Sequence, residues 1–247
     1  MVDFKKVDEL KQKLDSKRPL PEAAVRNLRE VFRVDWTYNS NAIEGNTLTL
    51  LETKLVLEEG LTIGGKSLRE HFEVLNHGEA ITYIEELVST QTPLSEKVIK
   101  DVHHLILKNI DDENAGMYRK INVAISGSQH QPPHFLKVPD EMGGLMRWYQ
   151  SEVKKLHPVE LAALLHFKFV YIHPFVDGNG RTARLLMNMI LMSYGYPPAI
   201  LKADTEKRIA YYDSLEKASV QGEVEPFIQM VVDSTEESLL RYINAIE

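Results

Sequence analysis

The chain has 247 residues, 43% of them hydrophobic and 26% charged, which are ordinary proportions for a globular protein and enough for one large domain or two small ones. A formal net charge of −7 argues against nucleic acid as the main partner, and the lack of cysteine excludes disulfides and thiolate metal sites. No apolar run reaches the roughly 18 residues needed to cross a bilayer, and Met1 to Asp15 is charged, without the apolar core of a signal peptide. A cytoplasmic protein with no membrane partner is the expectation.

Phe4, Val7, Leu10 and Leu14 recur at helical spacing in a charged segment that stops at Pro19 and Pro21. Pro21 suits the first turn of a second helix, predicted over Glu22 to Tyr38. Ser40-Asn-Ala-Ile-Glu44-Gly45-Asn46 reads as a polar helix end capped by Gly45. Thr47 to Glu59 is again helical in pattern. Gly60 to Ser67 then matches Gly-x4-Gly-Lys-Ser, the pattern of a phosphate-binding loop. Such a loop must follow a buried strand, yet Glu52, Lys54, Glu58 and Glu59 fall at spacings that a buried strand would not accept. No alternation of strands and helices follows. The run is therefore a glycine turn between two helices.

Leu68 to Val88 is amphipathic, and its His71 and His77 are expected at the surface or the edge of the core and not as ligands. Ser95 caps a helix predicted over Glu96 to Leu107. Its adjacent His103 and His104 face different directions and lack the i, i+4 partner of a metal pair, so they too are structural. Ile121 to Ile125 is the best strand candidate, turned by Gly127, with Pro132, Pro133 and Pro139 keeping the return irregular. Further helices are predicted over Glu141 to Leu156, Pro158 to Ile172, Leu185 to Met192, Lys202 to Ala218 and Glu225 to Ile243. Pro158 to Ile172 is apolar nearly all round, as in a helix at the centre of a bundle.

Between the two most apolar helices lies His173-Pro-Phe-Val-Asp-Gly-Asn-Gly-Arg-Thr-Ala-Arg184. Pro174 disfavours helical geometry at His173, so the first helix ends there. Gly178 and Gly180 permit a tight turn that brings backbone N–H groups to the mouth of the next helix, where anions bind. Arg181 and Arg184 are three apart and add forked charge to that mouth. Asp177 is an oxygen ligand suited to Mg²⁺, which takes one or two carboxylates plus substrate phosphates. His173 can take a proton near neutral pH. A lone Asp-Gly-Asn-Gly run is ordinarily a turn and a cap. A cap alone has no use for two arginines aimed at one mouth, and the combination points to nucleotide chemistry.

These twelve residues resemble the signature of the Fic family, His-x-Phe-x-Asp/Glu-Gly-Asn-Gly-Arg-x-x-Arg, at every fixed position, and the likeness runs from about Asn39 to the C-terminus. The resemblance implies an all-α Fic-fold helical bundle with a small β-hairpin flap. It also implies transfer of AMP from ATP, with Mg²⁺, to a Ser, Thr or Tyr hydroxyl of a target protein, the chain itself included. His173 would deprotonate the hydroxyl and Asp177 would hold Mg²⁺. Gly178, Asn179 and Gly180 would bind phosphates, Arg181 would contact the β- and γ-phosphates, and Thr182, Ala183 and Arg184 would complete the nucleotide-binding run. Phe175 would anchor the loop in the core. Ser40, Glu44 and Gly45 match the family's inhibitory motif, in which the glutamate pairs with the second arginine, here Arg184, and blocks the γ-phosphate; in relatives it also supports AMP removal. Tyr211 and Tyr212 would border the adenine pocket, with Ser219 where the animal enzyme has an asparagine. The hairpin would be a flap that holds the target by strand pairing, with an insertion at Ser126 to His130 relative to that enzyme. The expected division is residues 1–38 as an N-terminal helical segment, 39–60 as the inhibitory region and 61–247 as the core, with a homodimer left open. A different phosphate-containing donor, or a nucleotide-sensing module shut by Glu44, are the alternatives.

Overall fold

The computed structural model describes residues 2–247. Ten α-helices follow one another: α1 Lys5–Asp15, α2 Glu22–Ile43, α3 Leu50–Glu59, α4 Leu68–Ser89, α5 Glu96–Leu107, α6 Val138–Glu152, α7 Pro158–Ile172, α8 Asn179–Ser193, α9 Thr205–Gln221 and α10 Glu225–Ile246. None of the described helices is long and apolar enough to cross a membrane.

The antiparallel pair α7 and α8 forms the centre, and the remaining helices are arranged around it. One face of this hairpin carries α6, α9 and α10 against α7, while α2, α4 and α5 pack on α8. Its side chains explain the placement. Val159, Leu161, Ala162, Ala163, Leu165 and Phe169 of α7 are fully buried, as are Leu185, Met187 and Leu191 of α8. A helix apolar on every side has no face to offer water and must lie inside. The same hydrophobic core reaches from Val7 on α1 to Ile243 on α10, and a small satellite of Leu48, Val56 and Val74 sits under α3.

Local signals set most of the boundaries. Thr49 and Ser67 each form a capping box, with Glu52 and Glu70 three residues on, and so fix the starts of α3 and α4. Gly60 to Ser67, the rejected phosphate-binding loop, joins these two helices with no strand before it. Helix α2 continues to Ile43, one turn beyond the predicted end, so Ser40 is on its last turn. Glu44 follows as the terminal cap, and Gly45 leaves in the left-handed region (φ +98°). Pro139, expected in the irregular return, instead lies in the first turn of α6, where its missing N–H removes no helical bond.

The strand expectation fails. No strand is present among the described residues, and Ile121 to Ile125 is irregular chain. The limbs of this flap are bridged by a side chain in place of a ladder: Arg119 donates to the carbonyls of Ile121 (3.0 Å) and Pro133, and Asn122 Oδ1 accepts from Phe135 N–H (3.0 Å). Pro132 and Pro133 supply no N–H to pair with Ile121 to Ile125. Only the turn remains as predicted, closed by Ser128 N–H to Ile125 O at 3.2 Å, with Gly127 at φ +79°.

Past α8, buried Asn188 binds both backbone groups of Ala199, donating to its carbonyl at 3.0 Å and accepting from its N–H at 2.8 Å. Asn188→Ala leaves both groups buried and unpaired. We expect a loss of about 2–4 kcal/mol, seen as a lower urea midpoint with an unchanged m-value.

Candidate active site

The turn between α7 and α8 is built around His173. It terminates α7 in the left-handed region (φ +51°), an unusual conformation for a residue with a Cβ. Three contacts hold it there. Its own N–H bonds to Phe169 O at 3.0 Å, Arg119 Nε donates to its carbonyl at 2.8 Å, and Arg119 N–H donates to Pro174 O at 2.9 Å. Phe175 is fully buried and stacks flat on His103, centroids 3.5 Å apart. His103 Nε2 donates to Asp177 O (2.9 Å), while its Nδ1 accepts from Gly116 N–H (2.9 Å), which fixes the ring's tautomer. Asn179 turns its side chain inward, pairing with both backbone groups of Phe175 at 3.0 and 2.9 Å. The loop is thus clamped from α5, from the flap and from its own end.

Gly178 precedes α8 at φ +76°, and the amides of Asn179, Gly180 and Arg181 open the helix without intrahelical acceptors. Over them lies the Glu44 carboxylate. A Cβ on Gly180 would collide with Glu44 Oε1, so that oxygen rests directly against the helix mouth. Its partner is Arg184, whose guanidinium is almost fully buried. Arg184 Nη2 donates to Glu44 Oε1 (2.8 Å) and to Ser40 O (2.8 Å), its Nε to Ser40 Oγ (3.1 Å), and its Nη1 to the Tyr211 hydroxyl (3.1 Å). The Tyr211 hydroxyl has its hydrogen left for His166 Nε2, 3.1 Å away. Tyr211 is therefore a buried brace for Arg184. Tyr212 is half-exposed and donates to Ile43 O at 3.0 Å, tying α9 to the end of α2.

Arg181, on the same face of α8, is also buried. Its Nη2 bonds to Asp177 Oδ1 (3.2 Å) and its Nη1 lies 3.4 Å from Glu73, but Nη1 and Nε have no hydrogen-bond partner. Buried guanidinium donors without acceptors are costly and mark a place where an anion fits. Thr182 and Ala183 lie fully buried within α8, Ala183 as part of the hydrophobic core. Glu44, His173, Gly180, Tyr211, Tyr212 and Ser219 share one cavity of about 550 Å³, with the flap turn Ser126–Ser128 along its rim. A larger, mostly apolar hollow of about 670 Å³ beside Pro197 and Pro198 involves none of these residues.

Among the described residues no three His, Asp or Glu side chains come together as a metal cage. The carboxylate of the motif itself, Asp177, lies beside the anion mouth, partly exposed. Burial pushes its pKa up, but Arg181, the Gly178 N–H and Arg69 outweigh this and hold it below the usual carboxylate range. An ionised, partly exposed carboxylate next to a phosphate cradle fits Mg²⁺, a cation that completes its shell with phosphate oxygens and water.

Residues 93–191 match the profile of the Fic/DOC family. A solved Fic-domain signalling protein from Bacteroides thetaiotaomicron superposes with a TM-score of 0.90 at 32% identity, covering 98% of this chain and 96% of the other. This chain belongs to the Fic family. Fic-1 of Caenorhabditis elegans superposes with a TM-score of 0.86 at 36% identity over 98% of this chain and 72% of that one. A protein adenylyltransferase Fic of Drosophila erecta is 37% identical over 249 residues, and this Fic chain spans about half (48%) of its length.

Four residues around this Fic motif escaped the sequence reading: Arg119, His103, Arg69 and Glu73. His103 was assigned to structure, but its structural task is specific, since it carries the motif loop. The site groups they meet, the His173 and Asp177 carbonyls, the Asp177 carboxylate and the Arg181 guanidinium, are distant in sequence, so no local pattern announces them.

Burial lowers the pKa of four histidines: His103 and His173 to about 4, and His77 and His166 well below the ordinary value. For His173, Arg119 adds to the lowering, while the Val170 carbonyl and Glu44 oppose it. These rings are neutral in the folded protein and take protons on unfolding below about pH 6.5. The unfolded state then binds more protons, so stability falls as pH drops from about 6.5 towards 4, by about 1.4 kcal/mol per pH unit for each such histidine. Urea unfolding at pH 7.0, 6.0 and 5.0 should show this decline, with His103→Gln reducing the slope.

Proposed function

We propose that this protein is a protein adenylyltransferase, transferring AMP from Mg-ATP to a hydroxyl side chain, and that Glu44 holds it in check. The supporting observation is the pairing at the mouth of α8: a carboxylate from the end of α2 rests on Gly180 and on the buried guanidinium of Arg184, on donors suited to a phosphate. The relatives named adenylyltransferases support the reaction class.

His173 is the base. Its Nδ1 is buried, leaving Nε2 to take the proton, and its lowered pKa keeps the ring neutral and ready to accept one at pH 7. The target's hydroxyl oxygen attacks the α-phosphorus and its proton passes to His173. The new O–P bond replaces the bond to the bridging oxygen, and pyrophosphate leaves. The Gly178–Gly180 amides and Arg181 hold the phosphates, so catalysis rests on positioning and charge stabilisation. Asp177 would hold Mg²⁺, which when bound neutralises phosphate charge. Tyr211 positions Arg184, and Tyr212 borders the cavity where the base would lie. Residues 1–38 back the bundle, 39–60 carry the brake and 61–247 form the transferase core. Glu44 is one-third exposed to the same cavity. It can therefore also take a proton from a water that releases AMP from a modified target.

Glu44→Gly should gain label when incubated with Mg-ATP, while wild type and Glu44→Gly/His173→Ala do not. Intact-protein mass spectrometry reads this as an added AMP, about 329 Da once pyrophosphate leaves. An added phosphate would indicate a different transfer. Absence of any gain in all three forms, with ATP still bound, would favour a sensing module.

A further inference from the structure

One guanidinium at the mouth of the site belongs neither to the motif nor to the brake. Arg69, in the first turn of α4, places Nη2 2.6 Å from Asp177 Oδ2, a partner 108 residues away in the chain, and Nε 3.2 Å from Glu73 Oε1. The other oxygen of Asp177 already carries the Gly178 N–H (2.6 Å) and Arg181 Nη2 (3.2 Å). Both oxygens of the one carboxylate suited to a metal are therefore taken by donors.

The two arginines differ in freedom. Arg181 is 3% exposed and fixed, whereas Arg69 is 56% exposed on a flexible stem. Glu73, one turn further along α4, is the anchor between them. It also accepts from Asn46 Nδ2 at 2.9 Å, and so connects the end of the inhibitory segment to the same cluster. A guanidinium and a divalent cation cannot both lie against Asp177 Oδ2, because two positive centres within about 4 Å repel strongly at a half-buried site. One must leave, and Arg69 is the group able to leave while keeping a counter-charge on Glu73.

We propose that Arg69 is a removable occupant of the metal seat, covering Asp177 Oδ2 until Mg²⁺ arrives with a nucleotide phosphate and displaces it. Arg69 thereby raises the Mg²⁺ concentration at which nucleotide binding tightens. This inference rests on the reading of Asp177 as the metal carboxylate.

The test is isothermal titration of ADP into the full chain, in EDTA and across a MgCl₂ series, for wild type, Arg69→Ala, Lys66→Ala and Asp177→Asn. Arg69 is well exposed, so its replacement spares the fold. In Arg69→Ala the Mg²⁺ midpoint should fall about threefold or more, in line with an exchangeable, partly exposed ion pair, while binding in EDTA does not tighten. Lys66→Ala removes an equal charge just before α4 without a contact to Asp177, and should leave the midpoint in place. An unmoved midpoint in Arg69→Ala, or an equal shift in Lys66→Ala, overturns the inference and leaves Asp177's role standing. A wild type whose ADP binding ignores Mg²⁺, or an Asp177→Asn that responds like wild type, overturns both.

Discussion

The buried guanidinium of Arg184 is the constraint around which the site is arranged. A permanent cation with 2% of its surface exposed cannot be left without a counter-charge. The counter-charge comes from Glu44, with the Ser40 hydroxyl, the Ser40 carbonyl and the Tyr211 hydroxyl taking three more of the donor positions. The end of α2 is thus joined to α8 by electrostatic necessity, and this places a carboxylate on the phosphate mouth. A phosphate carries the same sign of charge and the same acceptor chemistry as that carboxylate, and the proposed inhibition is a competition of the two for one cation. In this account inhibition follows from the need to keep a buried charge paired.

The same logic extends across the mouth. Arg181 rests on Asp177 and near Glu73, and Arg69 bridges those same two carboxylates. Three guanidinium groups and three carboxylates neutralise one another before any nucleotide is present. A nucleotide brings negative charge into this balance and a divalent cation returns positive charge, so the two are expected to act together. The clamps behind the loop, Arg119 on the His173 carbonyl and His103 on the Asp177 carbonyl, hold its backbone through bonds that do not involve these charged carboxylates.

Much of the centre was readable from the sequence because its signals are local. The apolar run of Pro158 to Ile172, the stop at His173-Pro174 and the glycines before α8 each act within a few residues, and they define the α7–turn–α8 unit. The Glu44–Arg184 pair spans 140 residues and was suggested by the resemblance alone, since a glutamate at a helix end has no local property that names its partner. Arg69 and Glu73 stand four apart on α4, a spacing shared by any solvated helix pair, so nothing local marks them as part of the site. The flap misled for a related reason. Ile121 to Ile125 has strand-like composition, but Arg119 bridges the limbs and the prolines offer no N–H for pairing. Strand propensity is decided by a partner, and here there is none.

The most direct test of the central claim is a crystal structure of the Mg-ATP complex, for wild type beside Glu44→Gly. Competition for Arg184 predicts that in wild type Glu44 stays on the guanidinium and the γ-phosphate lies elsewhere, while in the variant the γ-phosphate moves onto Arg184. A wild-type complex with Glu44 still bound to Arg184 and the γ-phosphate there as well would contradict the account.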